Sequence, residues 1–202
     1  MHPNPAFGWT DRAAMLDFFA EHSFAHIFTA SEAGRFVVHV PVIVRGESIL
    51  FHVARRNRIA DQLAGQAVLA SVLGRHAYQS ANWYASADQV PTWHYEAVEI
   101  DGVARKLAED ELVALVDDLS DTMERRYSPD NSWTRGKMAP GKFEAMVKAI
   151  VGFEVPAAEI RGTRKFNQSK STEDLAATIE GQRGAWREDI VAAIEELMPR
   201  GE

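Results

Sequence analysis

Between residues 24 and 54 three strand-like segments are joined by turns too short for anything but hairpins, and this spacing constrains the fold more than any other feature. The segments are FAHIFTA at 24–30, FVVHVPVIV at 36–44 and ILFHVA at 49–54, with Ser-Glu-Ala-Gly at 31–34 and Gly-Glu-Ser at 46–48 between them. Parallel neighbours need a crossover of about a dozen residues or more, so these segments must pair antiparallel. Pro41 has no N–H to give to a ladder, which predicts an edge, a bulge or a strand break at that point.

The strand pattern resumes with AVLASVLG at 67–74 and WHYEAVEIDGVARKL at 93–107, and NRIADQLA at 57–64 predicts a short helix before them. An earlier helix, capped by Thr10 or Asp11, carries Met15, Leu16, Phe18 and Phe19. From Ala108 the apolar period becomes helical: Leu112, Leu115, Val116, Leu119 and Met123 make a stripe ending near Arg126. A turn-rich loop at 127–141 leads to a second helix at 143–151, and strand character returns at 151–170. Leu175, Ile179, Trp186, Ile190, Ala193, Ile194 and Leu197 then predict one terminal amphipathic helix, capped by Ser171 or Thr172. No repeat or linker divides the chain. The pattern predicts a single domain over 1–202: mainly β, a barrel-like antiparallel core with helical additions at 108–151 and 171–198.

Composition removes several function classes. The chain has no cysteine, which excludes disulfides, thiolate metal sites and cysteine nucleophiles and fits a reducing cytoplasm. The opening MHPNPAFGWTDRAAM lacks a basic region followed by an apolar one, so no secretory signal is expected. No apolar run reaches the ~18 residues of a membrane helix, and no membrane association is expected. A net charge of −7 opposes DNA, whose binding rests on a Lys/Arg face that displaces counterions. The later helices are acidic, and no helix-turn-helix pattern is visible.

The candidate site residues concentrate in Gly74–Val98. This stretch holds three of the four tyrosines, two of the five tryptophans and two of the seven histidines, so it is the place to expect a shaped rim. Such side chains serve where one edge is apolar and the other forms a hydrogen bond. A buried strand pair would also explain them. LFHVARRNR at 50–58 is the phosphate candidate: guanidinium groups beside a turn favour an anion, although no glycine-rich phosphate loop accompanies them. A second basic cluster is Arg161, Arg164, Lys165 and Lys170. His26, His39, His52, His76 and His94 form no metal-ligand spacing, so no metal is expected; a single haem-ligating histidine stays open. Ser80 and Ser86 lack a hydrolase motif, and Glu96, Glu99 and Asp101 read as exposed strand carboxylates.

The same segments resemble the PaiB-like FMN-binding transcriptional regulators. The resemblance rests on the Pro-rich lead with Phe7, HVPVIV at 39–44, FHVARRN at 51–57, HAYQSANWY at 76–84, VPTWHY at 90–95 and KFNQSK at 165–170. His94 stands where the family usually has asparagine, and Phe166, Asn167 and Ser169 replace leucine, serine and asparagine. The resemblance implies an FMN-binding split barrel, six-stranded, antiparallel and Greek-key, that forms a homodimer with flavin sites at its interface. It also implies that Val40, Pro41 and Val42 offer backbone to the flavin ring, and that Arg55, Asn57 and Arg58 hold the phosphate. Tyr78, Ser80, Trp83, Tyr84, Trp93 and His94 would wall the ring or order the interface, with Lys165 and Gln168 reaching across from the partner. Function follows as an FMN-binding regulator or sensor. The alternatives are a flavin-dependent oxidoreductase using Tyr78, Tyr95 or His94 as proton donor, or a haem-binding split barrel.

Overall fold

The computed structural model describes residues 2–198, which belong to two compact units. One unit contains Arg12–Val72 and Glu99–Ile160; the other contains the lead through Asp11, Leu73–Val98 and the chain from Arg161 onward. The described residues form nine strands, three more than the six expected, and every ladder register seen is antiparallel.

The unit built on Arg12–Val72 starts with helix α1 (Arg12–His22) and the hairpins of β2 (Phe24–Ser31), β3 (Gly34–Arg45) and β4 (Ser48–Ala54). Gly46 has φ 59°, a left-handed turn position that a side chain disfavours. Pro41 neither ends nor edges its strand. It is the last β3 residue paired with β2, opposite Phe24, and pairing with β4 begins at Val42 opposite Phe51. The missing N–H therefore falls where the strand changes partner, which is why a proline is tolerated inside it. The first part of β5 (Ala67–Gln79) pairs with β2, and β8 (Ile150–Pro156) lies between β4 and the short β7 (Arg105–Lys106).

Helix α2 (Glu109–Tyr127) is acidic in its first turn and basic in its last, as the helix dipole favours. It buries Leu112, Leu115 and Leu119 in a cluster with Ile43, Leu50, Leu107 and Val147. Phe51 and Phe153 add a tilted ring pair 5.8 Å apart. Two expected helices differ. Residues 57–64 form successive turns, because Asn57 Oδ1 accepts from Ile59 N at 3.1 Å and offers the backbone an alternative to helix. The second expected helix, α3, spans only Lys142–Val147, after which Ile150 and Val151 enter β8.

In the other unit β1 (Gly8–Trp9) pairs with β9 (Glu159–Lys165), followed in order by β6 (Thr92–Val103) and β5. Ala77 and Phe166 pack with Leu175, Ile179, Ile190, Val191, Ala193 and Ile194. The terminal helix is two helices, α4 (Thr172–Gly184) and α5 (Glu188–Leu197). Ser171 caps the first by accepting from Asp174 N. Trp186 breaks the run at φ 59° and is 92% exposed, so it lies outside the stripe expected to bury it.

Candidate functional site

Strand alternation divides the aromatic block into two faces. On β5 Ala77 and Gln79 face inward and Tyr78 outward; on β6 His94 and Glu96 face inward and Trp93 outward. Tyr78 is 48% exposed, Trp93 is 56% exposed, and their rings meet edge to face at 6.1 Å. An apolar ring pair held this far out of a unit's interior is a candidate surface for a planar ligand or a partner. Lys165 lies on β9 and donates to Thr92 Oγ1, and burial lowers its pKa.

Behind the outward pair lies a polar interior. Gln79 Nε2 donates to Ser80 O at 3.1 Å, and Gln79 Oε1 accepts from Gln182 Nε2 at 3.1 Å. That orientation makes Gln79 Oε1 the acceptor for His94 Nε2 at 3.0 Å, so the His94 proton sits on Nε2. His94 is fully buried, its ring is stacked at 5.8 Å on Phe166, and burial pushes its pKa down to about 4. It is a neutral imidazole that orders the wall from inside. Asn167, at φ 62°, exchanges hydrogen bonds with the Tyr84 hydroxyl at 3.0 and 3.2 Å.

Glu96 is the residue whose place the sequence reading missed. It is 2% exposed, takes Arg75 Nε at 2.7 Å and lies 3.4 Å from Arg164 Nε. Arg75 also holds Glu196 at 2.9 Å. Residue parity carried the signal, since 96 faces opposite to 99 and 101 on one strand. Asp174, Thr178 and Gln182 are buried as well, spaced at i, i+4 and i+8 along α4. The Ser86 backbone N–H and hydroxyl both donate to Asp174 and lower its pKa.

The remaining expected residues of this unit are turn elements. Ser80 Oγ accepts from Asn82 N at 3.2 Å and starts the short 3-10 turn Ala81–Trp83. Trp83 packs on Gly181, where a Cβ would come within 2.4 Å of the indole. Gln168 folds back on its own unit, accepting from Phe166 N at 2.8 Å and donating to Arg164 O.

In the hairpin unit Val40 and Val42 bury their side chains, leaving backbone and the partly exposed Pro41 as the surface of that strand. Arg55 donates from Nε to Lys148 O at 2.8 Å and from one Nη to Ile150 O at 3.0 Å, so most of its guanidinium fixes the start of β8. Arg58 lies over the Phe36 ring at 5.2 Å. His26 and His39 are directly opposed on β2 and β3, with ring centres 4.7 Å apart. Phe24 at 57%, Phe28 at 41% and Val37 at 43% exposure share their side of the hairpin. Among the described residues no group of three or more metal-ligating side chains converges, and no helix is long and apolar enough to cross a membrane.

A family model described as "Putative FMN-binding domain" matches residues 1–159. The "Protease synthase and sporulation protein PAI 2" of Bacillus subtilis (strain 168) is 28% identical over 179 residues, covering 86% of this chain and 85% of that protein. Among solved structures, the flavocytochrome Anf3 from Azotobacter vinelandii aligns with TM-score 0.59 at 16% identity, over 87% of this chain and 78% of the other. The FAD and heme binding protein from Mycobacterium smegmatis aligns with TM-score 0.57 at 16% identity, over 84% and 79%. At these identities the structural likeness shows the fold: a flavin-type split barrel, mainly antiparallel β with added helices.

Proposed function

We propose, from the premise that this chain belongs to the FMN-binding domain family matched over residues 1–159, that it is an FMN-binding regulator or sensor rather than an enzyme. FMN is the cofactor of the family, and when bound it supplies reversible one- and two-electron chemistry. Each unit by itself carries residues that suit such a group: in one the outward Tyr78–Trp93 pair offers apolar edges, and in the other the turn after β4 offers cations. Val40, Pro41 and Val42 present backbone to the ring. Arg58 and the Asn57 side-chain amide hold the phosphate, while Arg55 fixes the start of β8 beside them. Lys165 approaches the cofactor from the partner of a homodimer, and Gln168, folded back on its own unit, holds the turn next to it. The exposed Phe24, Phe28 and Val37 support that assembly, because such apolar surface is usually covered by a partner.

The observation that carries the sensor reading is the state of His94. Its imidazole is fully buried with the Nε2–H given to Gln79 Oε1, which places it to order the wall rather than to exchange a proton with a bound substrate. The relative named for protease synthesis and sporulation supports a regulatory role. The net charge of −7 favours regulation through flavin state or a protein partner over direct DNA contact, and a cytoplasmic setting suits a chain without cysteine.

An absorbance spectrum of the purified protein, followed by anaerobic mixing with NADH or NADPH, tests this reading. Flavin bands without multiple turnover support it; steady-state turnover of a small substrate rejects the sensor role, and a Soret band without flavin bands rejects flavin. Light scattering checks the dimer.

A further inference from the structure

The start of β8 carries a second cavity, of about 210 Å³, whose lining lies entirely in the Arg12–Val72 and Glu99–Ile160 unit. Its floor is apolar: Leu107, Leu112, Val147 and Val151 are each 6–7% exposed. Arg55, Lys106 and Lys148 stand around it, with Glu109 the one acid in the lining. Arg55 is tied to the Lys148 and Ile150 carbonyls, but Lys106 and Lys148 form no ion pair among the described residues. In a chain of net charge −7, two unpaired ammonium groups beside an apolar hollow are a local departure from the overall balance. The N-terminus of the 19-residue α2 lies on the same side, its partial positive charge offset by Glu109, Asp110 and Glu111 in the first turn.

Ala108, the N-cap of α2, lines the cavity with nothing longer than a methyl, and its N–H donates to Glu111 Oε2 at 2.7 Å, so the helix start is satisfied without filling the hollow.

We infer that this cavity binds a compact organic anion, an aryl or branched apolar body ending in one carboxylate or phosphate. Apolar cavities of about 150 Å³ hold a benzene ring, so this one takes a single ring and places its head group between Lys106 and Lys148. Charge and shape act together: the floor selects the apolar body and the lysines select the anion. The lining shares only Arg55 with the flavin residues proposed above, and it gives a sensor a second input.

Titration calorimetry on the protein as purified, with its FMN content read by absorbance in the same samples, tests the inference. The probes are phenylacetate, phenyl phosphate, benzyl alcohol and inorganic phosphate. One aryl anion should bind saturably at least about tenfold more tightly than either benzyl alcohol or inorganic phosphate. The carboxylate and phosphate arms identify the head group. Lys106→Glu with Lys148→Glu, and separately Ala108→Phe, should each weaken that anion by about tenfold or more at unchanged FMN content. Lys106→Gln with Lys148→Gln repeats the test without charge reversal and guards against a folding artefact. Equal binding of benzyl alcohol, unchanged affinity in both lysine pairs, or no saturable anion binding up to about 10 mM overturns the inference. A loss of FMN with anion binding intact would instead count against the flavin assignment.

Discussion

The two units are held together by different physics. Of the buried polar residues, Ser23 and Thr29 belong to the hairpin unit, whereas Gln79, His94, Glu96, Thr163, Asn167, Asp174, Thr178 and Gln182 all belong to the other. The hairpin unit is fixed by apolar packing, with Phe19, Ile27, Ile49, Phe51 and Phe153 at or near zero exposure. Apolar packing tolerates substitution of similar volume and is nearly indifferent to pH. A connected polar interior fixes geometry more sharply and fails more sharply when one member is removed. The polar unit also carries the outward Tyr78–Trp93 pair, so its network holds that exposed face in register.

The largest expected effect tests that contrast directly. Glu96→Ala leaves Arg75 and Arg164 without their buried carboxylate and should cost about 3–5 kcal/mol. Phe153→Ala, a cavity mutation in the apolar unit, should cost a similar ~3–5 kcal/mol. Urea unfolding of both variants decides the matter. A Glu96→Ala cost below about 1 kcal/mol would mean that the ion network contributes little and the contrast is false.

The next effect separates the units by pH. His94 has its pKa lowered by burial from 6.5 to about 4, so between those values the unfolded chain binds a proton that the folded chain does not. Stability contributed by this group is complete above pH 6.5 and falls with acid until pH 4, a loss on the order of 3 kcal/mol. His52, on β4 of the hairpin unit, is shifted the same way by burial, so that unit adds an acid loss of its own and the contrast between the units is one of degree. A His94→Asn variant should flatten the stability profile over this window. An unchanged slope in that variant would move the acid sensitivity away from the polar unit.

Much of this organisation was legible in the sequence, and the misses have definite causes. Hairpin spacing gave β2, β3 and β4, and helical period gave α2, because both depend on local pattern alone. The break at Trp186 was hidden because its spacing fits an apolar stripe, while its left-handed backbone and its exposure are set by tertiary contacts. Arg187, next to it, donates to His76 O at 2.8 Å, a contact 111 residues away that no local period reports. Asp174, Thr178 and Gln182 drew no attention in the sequence because polar side chains are usually exposed. Their i+4 spacing beside Leu175 and Ile179 was the available sign that the buried face of α4 is wider than its apolar stripe. The Tyr78–Trp93 face was legible as a block of aromatics; which of its residues turn outward required the parity of both strands.

A smaller effect compares the units at matched glycines. A Cβ on Gly181 would lie 2.4 Å from the rigid Trp83 indole, so Gly181→Ala should cost about 1–3 kcal/mol despite alanine's better helix propensity. A Cβ on Gly152 meets the Cδ1 ends of Leu107 and Leu112 at 2.8 and 2.9 Å, which can turn aside, and Leu107 Cβ at an ordinary 3.4 Å. Gly152→Ala should therefore cost less, about 1 kcal/mol. Thermal melts that reverse this order would show the polar unit to be the more adaptable of the two.

The smallest effect concerns Arg55, for which the sequence and the structure suggest different uses. Its place in FHVARRN made it the expected phosphate anchor, yet its guanidinium is engaged with the Lys148 and Ile150 carbonyls. Those bonds join the end of β4 to the start of β8, where Ala54 is already paired with Ile150. Removing them exposes two carbonyls to water without burying a charge, which limits the penalty. Arg55→Ala should lower stability by about 1 kcal/mol, the net value of solvent-accessible hydrogen bonds. Its effect on FMN affinity should be smaller than that of Arg58→Ala, whose guanidinium rests on Phe36 with no carbonyl to satisfy among the described residues. Flavin fluorescence titration of the two variants, beside their urea midpoints, separates the roles. If Arg55→Ala weakens FMN by ~1.5–3 kcal/mol at unchanged stability, the arginine leaves its clamp to grip phosphate, and the apolar unit contributes a moving part to the flavin site.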